Sequence, residues 1–532
     1  MLRPLALAAA CGAALASAAL APAAQAQAPC VAGTATLNGV SYACSAVDVM
    51  AVVSPQQLGT PANGACPQPY PSICANDVWG WTDAATGREY ALVGLVNGTA
   101  FVDVTAPAAP VLLGRLPTQT QSSTWRDVEV YADHAFVVSE AQGHGMQVFD
   151  LRRLRGLSAD AARTFTADAV YARIGSAHTV GINTATGFAY AHGSRTQGSG
   201  LPSACGVPGA HAVDIRNPTA PVFSTCFNDA ALETGPRTPG YTHDMVCQTY
   251  AGPDADYTGR EMCFASNEDV LTVFDVTDKQ NVVTVSQGSY PNPGYTHQGW
   301  FASGQRYFLI DDEVDDLNGT TPSQQTIVMD LLDLDSPEYA FSYTSGLPVI
   351  DHNLYVVGRY AFESNYEAGL RILDLAGIAS GTITEAAFFD TYPQGQAVRF
   401  NGQWSNYPFF ASGIVVANDV RNGLFVLRPT GLVVAGEDGP ADTEGGYALS
   451  APSPNPTGEH ARLTLAVDVA QSVAAVVFDA TGRQAAVAFS GTVAPGATAE
   501  ISVDLAALPP GVYVVRVSGE TFAASRRLVV AR

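Results

Sequence analysis

The chain is written in short apolar runs that end on a polar or acidic residue and are separated by Gly, Asn, Asp and Pro. No stretch sustains the three-to-four-residue spacing of an amphipathic helix, so the pattern predicts strands almost throughout. One phrase recurs, an apolar pair followed by Asp and a further apolar residue, first as Ala100-Phe101-Val102-Asp103-Val104. It returns around Asp150, Asp214, Asp275, Asp330 and Asp374, while a seventh copy, Gly423-Leu424-Phe425-Val426-Leu427, has no Asp. Successive copies with Asp lie 44 to 64 residues apart, the size of a four-stranded unit.

Before each copy stands a second apolar run that closes on small polar or acidic residues. Examples are Val137-Val138-Ser139-Glu140, Phe264-Ala265-Ser266-Asn267-Glu268, Leu309-Ile310-Asp311-Asp312-Glu313 and Val415-Val416-Ala417-Asn418-Asp419. After it comes a proline-punctuated run such as Thr105-Ala106-Pro107-Ala108-Ala109-Pro110, which suits an outer edge strand that can spare an amide donor. The repeating Asp is expected to cap the turn between them through nearby amides. A unit of this kind cannot bury both faces alone, so neighbours must stack.

The expected fold is therefore all-β: a seven-bladed β-propeller over residues 76–430, followed by a small C-terminal β-sandwich over 452–532. A β-sandwich array is the alternative for the repeats. Residues 47–59 read as the end of a blade, so the N-terminal segment 27–75 is expected to complete the last blade and close the ring.

The two ends carry export signals. Met1-Leu2-Arg3-Pro4, an Ala- and Leu-rich run and Ala24-Gln25-Ala26 read as a signal peptide over residues 1–26. A membrane anchor or a lipoprotein through Cys11 is the alternative, and the apolar run is short for either. Removal of the signal leaves eight cysteines, an even number that suggests four disulfides between neighbours: Cys30 with Cys44, Cys66 with Cys74, Cys205 with Cys226, and Cys247 with Cys263. No close C-x-x-C pair favours zinc instead. No stretch of the mature chain is apolar enough to span a bilayer.

At 532 residues, 47% hydrophobic and 14% charged, the chain has ample core for more than one domain. The net charge of −23 argues against nucleic acid or an anionic membrane as partner, since either needs a basic surface.

Several aromatic-rich phrases occur in order: Asn76-Asp77-Val78-Trp79-Gly80-Trp81, His144-Gly145-Met146-Gln147-Val148-Phe149-Asp150, Tyr295-Thr296-His297-Gln298-Gly299-Trp300 and Trp404-Ser405-Asn406-Tyr407-Pro408. In these, residues 30–430 resemble the choice-of-anchor B family, whose blades are related to LVIVD-type repeats. The resemblance implies a surface or secreted protein with a variable C-terminal anchor and no settled activity. Beyond a Gly- and acid-rich linker at 431–451, the phrases Val477-Phe478-Asp479-Ala480-Thr481-Gly482-Arg483 and Leu508-Pro509-Pro510-Gly511-Val512-Tyr513 and the ending Arg526-Arg527-Leu528-Val529-Val530 resemble a type IX secretion sorting domain. That likeness implies handling by type IX secretion machinery, then surface attachment or release.

Candidate chemistry is sparse. Four of the nine histidines fall at one place in the repeat, at the start of the innermost strand: His178, His243, His297 and His352. Neutral imidazoles aimed at a common axis would bind a transition metal, while a repeating His can equally hold the channel wall. All-histidine sites of this kind occur in carotenoid-cleaving oxygenases and selenium-binding proteins, an architectural likeness only. Arg126, Asp127, Asp244, Gln298 and Asn353 are expected to line the same channel. The acidic run Asp311, Asp312, Glu313 and Asp315, with Asp316 after it, is a calcium candidate, as are Asp254 and Asp256. Neither run follows an EF-hand pattern. G-x-S-x-G, H-E-x-x-H and phosphate-loop motifs are missing. The leading functional reading is a binding module with an unidentified ligand, and the rival is a metal-dependent oxidative enzyme.

Overall fold

Alternation of buried and exposed positions sets each strand's register, because side chains two apart share a face. The computed structural model describes residues 27–432, except 62–64, 68 and 230–238, and residues 447–530 with short gaps at 451, 454–456, 459, 468, 480–483, 496–497, 507, 509–510 and 520–522. The signal peptide and most of the linker lie outside the described residues.

Seven antiparallel sheets of four or more strands are built in chain order among the described residues up to 432, with a two-stranded sheet of Ile174–Ser176 and Arg195–Thr196 beside them. Their first strands are Ala75–Thr82, Arg126–Tyr131, Thr179–Asn183, Asp244–Thr249, Thr296–Phe301, Leu354–Val357 and Gln403–Tyr407, here taken as sheets 1 to 7. These first strands stand side by side, each packed against the next, and that of sheet 7 packs against that of sheet 1. Sheets 1, 2, 4 and 5 take all four strands from consecutive sequence, and in sheet 3 only the short strand Arg195–Thr196 intervenes.

Sheet 7 does not. Its outer strand is Val47–Val53, hydrogen-bonded antiparallel to Gly423–Pro429, so the N-terminal segment and residue 429 meet in one sheet. Just before it, Thr34–Leu37 and Val40–Ser45 form a hairpin that extends the edge of sheet 6 through Cys44 opposite Phe389. The N-terminal segment thus serves two sheets.

The recurring Asp has one job throughout. The Oδ1 atoms of Asp103, Asp150, Asp214, Asp275, Asp330 and Asp374 each accept the amide of the residue two further on, at 2.9–3.0 Å. Each carboxylate is also paired with an arginine: Arg88, Arg152, Arg216, Arg260, Arg306 and Arg359 in the same order. The turn is held by the amide bond, and the ion pair, whose arginine stays largely in solvent, adds little.

The four disulfides join the neighbours expected from their spacing. They close loops of 8 to 21 residues, worth about 3 kcal/mol for a 15-residue loop on the chain-entropy account. Cys247 and Cys263 are directly opposed on adjacent strands of sheet 4, where the ladder already holds them. Replacing both with Ala is expected to lower stability by about 2–4 kcal/mol with the sheet intact. Chemical denaturation checks this; an unchanged midpoint would refute it.

The C-terminal unit is separate in sequence. A three-stranded sheet (Tyr447–Leu449, His460–Val467, Thr498–Asp504) and a four-stranded sheet (Gln484–Val493, Gln471–Asp479, Gly511–Ser518, Ala523–Val530) share one core, with Leu463, Leu465, Val477, Ile501, Val515 and Leu528 among its buried residues.

Candidate metal centre in the channel

The circle of first strands encloses a cavity of about 570 Å³. Its wall is layered, because each first strand contributes side chains in order along its length. The histidines come first, Asp244, Gln298 and Asn353 follow one residue later, and Trp300, Tyr355 and Tyr407 stand three residues after His297, His352 and Trp404.

The four imidazoles form a continuous arc. Ring centroids lie 4.3 Å apart for His178 and His243, 4.2 Å for His243 and His297, and 4.4 Å for His297 and His352. Their orientation is set by the next sheet: His243 Nδ1 lies 3.0 Å from the His297 carbonyl oxygen, and His352 Nδ1 lies 2.6 Å from that of Trp404. A carbonyl only accepts, so Nδ1 carries the proton and Nε2 keeps its lone pair. The His352 backbone acts on His297 in the same sense without meeting full hydrogen-bond geometry.

Burial, reinforced by the neighbouring imidazoles, drives the pKa of His243 and His297 well below the usual value and that of His352 to about 3. These three are neutral at any physiological pH. His178 differs: burial opposes its charge, but Glu140 Oε1 at 2.6 Å from Nδ1 outweighs that and raises its pKa.

The carboxylate of the arc is Glu313. Its Oε2 lies 3.7 Å from His297 Nε2 and its Oε1 3.7 Å from His352 Nε2. Tyr366 donates its hydroxyl to Oε1 at 2.7 Å. Burial raises the Glu313 pKa to about 7. Ligand atoms of His297, Glu313 and His352 lie within 4.8 Å of one another, whereas His178 and His243 fall outside that group. Two imidazoles on the cavity wall and one carboxylate are donors of the kind that could hold a first-row transition metal.

The layer behind ties sheet to sheet. Asp127 Oδ2 accepts the Val180 amide at 2.6 Å, Gln298 exchanges two hydrogen bonds with the Leu354 backbone at 3.0 and 3.1 Å, and Asn353 donates to Ser405 Oγ at 3.4 Å. Asp244 accepts its neighbour's amide, Met245, and burial raises its pKa to about 7. Arg126 lines the cavity, and its guanidinium is held by the Leu95 carbonyl, Thr118 Oγ1 and His144 Nε2 at 2.8–2.9 Å. Beyond this layer the cavity is floored by Trp79, Trp300, Tyr355, Tyr407 and Phe409, with Trp79 5.6 Å from Tyr355 and 5.2 Å from Tyr407, and Trp300 5.2 Å from Tyr355.

The acidic run divides four ways. Asp312 accepts the Gly294 amide at 2.6 Å, the Tyr295 amide, and the Tyr290 hydroxyl at 2.9 Å, as a clamp on the preceding loop. Glu313 turns to the histidines. Asp315 joins Asp316 and Asp351, while Asp311 is buried in the second strand of sheet 5. Asp254 accepts the amides of Asp256 and Leu334 and lies with the exposed Asp333 and Asp335, so the structure brings those two to it in place of Asp256.

Sequence reasoning missed Glu140, Tyr366 and Asp351 as site residues and grouped Glu313 with its acidic neighbours rather than with the histidines. A signal was present: Glu140, Glu268 and Glu313 all follow second strands, and the repeat places those ends beside the starts of first strands.

Fold and site together define an all-β exported protein with a histidine-lined channel. Residues 453–531 match the model of the secretion system C-terminal sorting domain, which implies handling by type IX secretion machinery and delivery to the cell surface or beyond. No curated protein sequence matches the chain. Solved structures similar to it include the β-propeller domain of Cps50 (Swd1) from Myceliophteria thermophila (11% identity, 70% of this chain and 99% of that one, TM-score 0.40). The C-terminal WD40 domain of Sif2 is similar at 9% identity over 67% and 97% of the two chains, TM-score 0.40. The periplasmic gluconolactonase PpgL of Pseudomonas aeruginosa follows at 10% over 78% and 85%, TM-score 0.32. Likenesses at this level say nothing about activity. Among the described residues no helix is long and apolar enough to cross a membrane.

Proposed function

We propose that the protein is an exported seven-bladed β-propeller, displayed at or released from the cell surface, that holds a divalent transition metal on His297, His352 and Glu313 and presents it to a ligand in the channel. The observation that carries this reading is the convergence of Glu313 on two neutral imidazoles, His297 and His352, that line the cavity. Hydrogen bonds from His352 Nδ1 to Trp404 and from Tyr366 to Glu313 supply the outer support that metal ligands need. Such an open set suits iron(II) and supports metal-dependent, oxidative chemistry. The propeller reading rests on the closed circle of first strands and on the N-terminal strand in sheet 7. A signal peptide at 1–26, a C-terminal β-sandwich and the choice-of-anchor B resemblance fit the same picture.

Calorimetric titration of untagged, chelator-treated mature protein with Fe(II), Co(II) and Zn(II) tests the metal. One site per chain, micromolar or tighter, is expected; no binding of any of the three would sink the proposal.

A second reading, ligand binding without metal, draws on the aromatic floor, whose ring faces suit a stacked cyclic ligand. Ligand capture undiminished by chelation would favour it.

The sorting domain makes its own prediction. Deleting residues 453–532 in a host with type IX machinery is expected to leave the propeller in the periplasm, as read by cell fractionation. Equal delivery of the truncated chain to the surface or medium would contradict it.

A further inference from the structure

Asp315 and Asp316 lie on the loop after the second strand of sheet 5, and Asp351 lies just ahead of the first strand of sheet 6. One ligand oxygen from each falls within 4.8 Å of the others. All three are buried, at 0%, 8% and 1% exposure. No lysine or arginine pairs with any of them among the described residues. Neutral donors reach part of the set: the Asp316 amide and Gln325 Nε2 bond Asp315 at 2.6 and 2.8 Å, and Thr321 Oγ1 meets Asp316 Oδ1 at 3.4 Å. Asp351 Oδ2 faces the Asp312 amide at 3.4 Å. Asp316 Oδ2 and Asp351 Oδ1 are left buried with no donor at all.

Three carboxylates cannot share so small a volume without positive charge, because burial strips the water that would screen them. A proton on one oxygen would relieve some of the repulsion. Even shared between the two orphaned oxygens, it would leave two negative charges buried without a counter-ion. A cation compensates all three carboxylates at once.

The geometry points to a calcium site formed by Asp315, Asp316 and Asp351, separate from the histidine centre. An oxygen-only donor set drawn from a loop and a neighbouring sheet suits the flexible coordination of Ca²⁺ better than the strict octahedron of Mg²⁺, and a transition metal would prefer the imidazoles nearby. The ion would fasten sheet 5 to the strand that starts with Asp351-His352. In that position it would brace the loop that carries Glu313.

The test is Ca²⁺ titration of chelator-treated mature protein, read by calorimetry and by thermal melting. Wild type is expected to bind one Ca²⁺ per chain and to melt higher with it. Asp316→Asn should weaken binding at least 10-fold, yet melt higher than wild type without Ca²⁺, since it removes one of the repelling charges. The double variant His297→Ala/His352→Ala should keep the Ca²⁺ response. Wild type that neither binds nor melts differently with Ca²⁺ would overturn the site, and this outcome decides even if the variant fails to fold. So would an Asp316→Asn protein that binds as wild type does, or a response lost in the histidine variant.

Discussion

Replacing His297 and His352 together with Ala is expected to abolish transition-metal binding while the fold survives. Residues that merely orient a ligand change metal affinity by about 10–100-fold, so removing two of three direct ligands should exceed that range. The structural cost is modest. Loss of the His352 hydrogen bond to the Trp404 carbonyl is worth about 1 kcal/mol, and the rings face a cavity that can admit water. Tyr366→Phe offers a finer measurement, since it removes only the hydroxyl that holds Glu313 at 2.7 Å. It should weaken binding by about 10–100-fold with little change in melting temperature. His460→Ala, exposed in the C-terminal unit, serves as the control. Metal affinity that survives the double variant would show that the ligands lie elsewhere.

Chelator-treated protein is expected to grow more stable as pH falls from 8 to about 6, the reverse of ordinary acid sensitivity. Burial raises the folded-state pKa of Asp244 and of Glu363 to about 7 and of Asp419 to about 6. A carboxyl raised in this way binds its proton more tightly folded than unfolded. Its contribution is therefore fully present below the unfolded value near 4 and is lost as pH climbs through 6 to 7. A group with folded pKa near 7 regains roughly 1.4 kcal/mol between pH 8 and 6, so several such groups outweigh the usual surface pairs.

Buried neutral histidines impose the opposite limit. His144, His192 and His211 are depressed by burial to about 4, 3 and 4. Their contribution is complete above 6.5 and is lost as pH falls through those lower values. His144 is the clearest case, because its Nε2 accepts from Arg126 at 2.9 Å and protonation would set like charges in contact. The two limbs place the optimum near pH 6, with melting on the order of 5 °C higher than at pH 8. A melting temperature that rises steadily from pH 6 to 8.5 would refute this. Glu363→Gln should flatten the alkaline limb, since its carboxylate accepts from Thr326 Oγ1 at 2.6 Å and the amide oxygen can do the same without ionising.

The strands, the repeat length, the turn-capping Asp and the neighbour disulfides were all legible in the residues, because each depends on contacts a few to about twenty positions apart. The strand Val47–Val53 was legible too, since it keeps the pattern of a blade edge without a partner nearby. Even the histidine arc could be suspected, as one register position repeated in four successive units. Which carboxylates serve it could not. Glu313 and Asp315 are two residues apart in one acidic run, yet the first faces imidazoles from sheets 5 and 6 and the second faces Asp351. Arg126 holds the register of a channel residue while its guanidinium is drawn to a carbonyl, a hydroxyl and His144 between sheets. Local pattern sets where a strand runs and which face a residue takes. Only the packing of one sheet against the next decides what a long polar side chain meets there, because that partner comes from sequence 30 to 60 residues away.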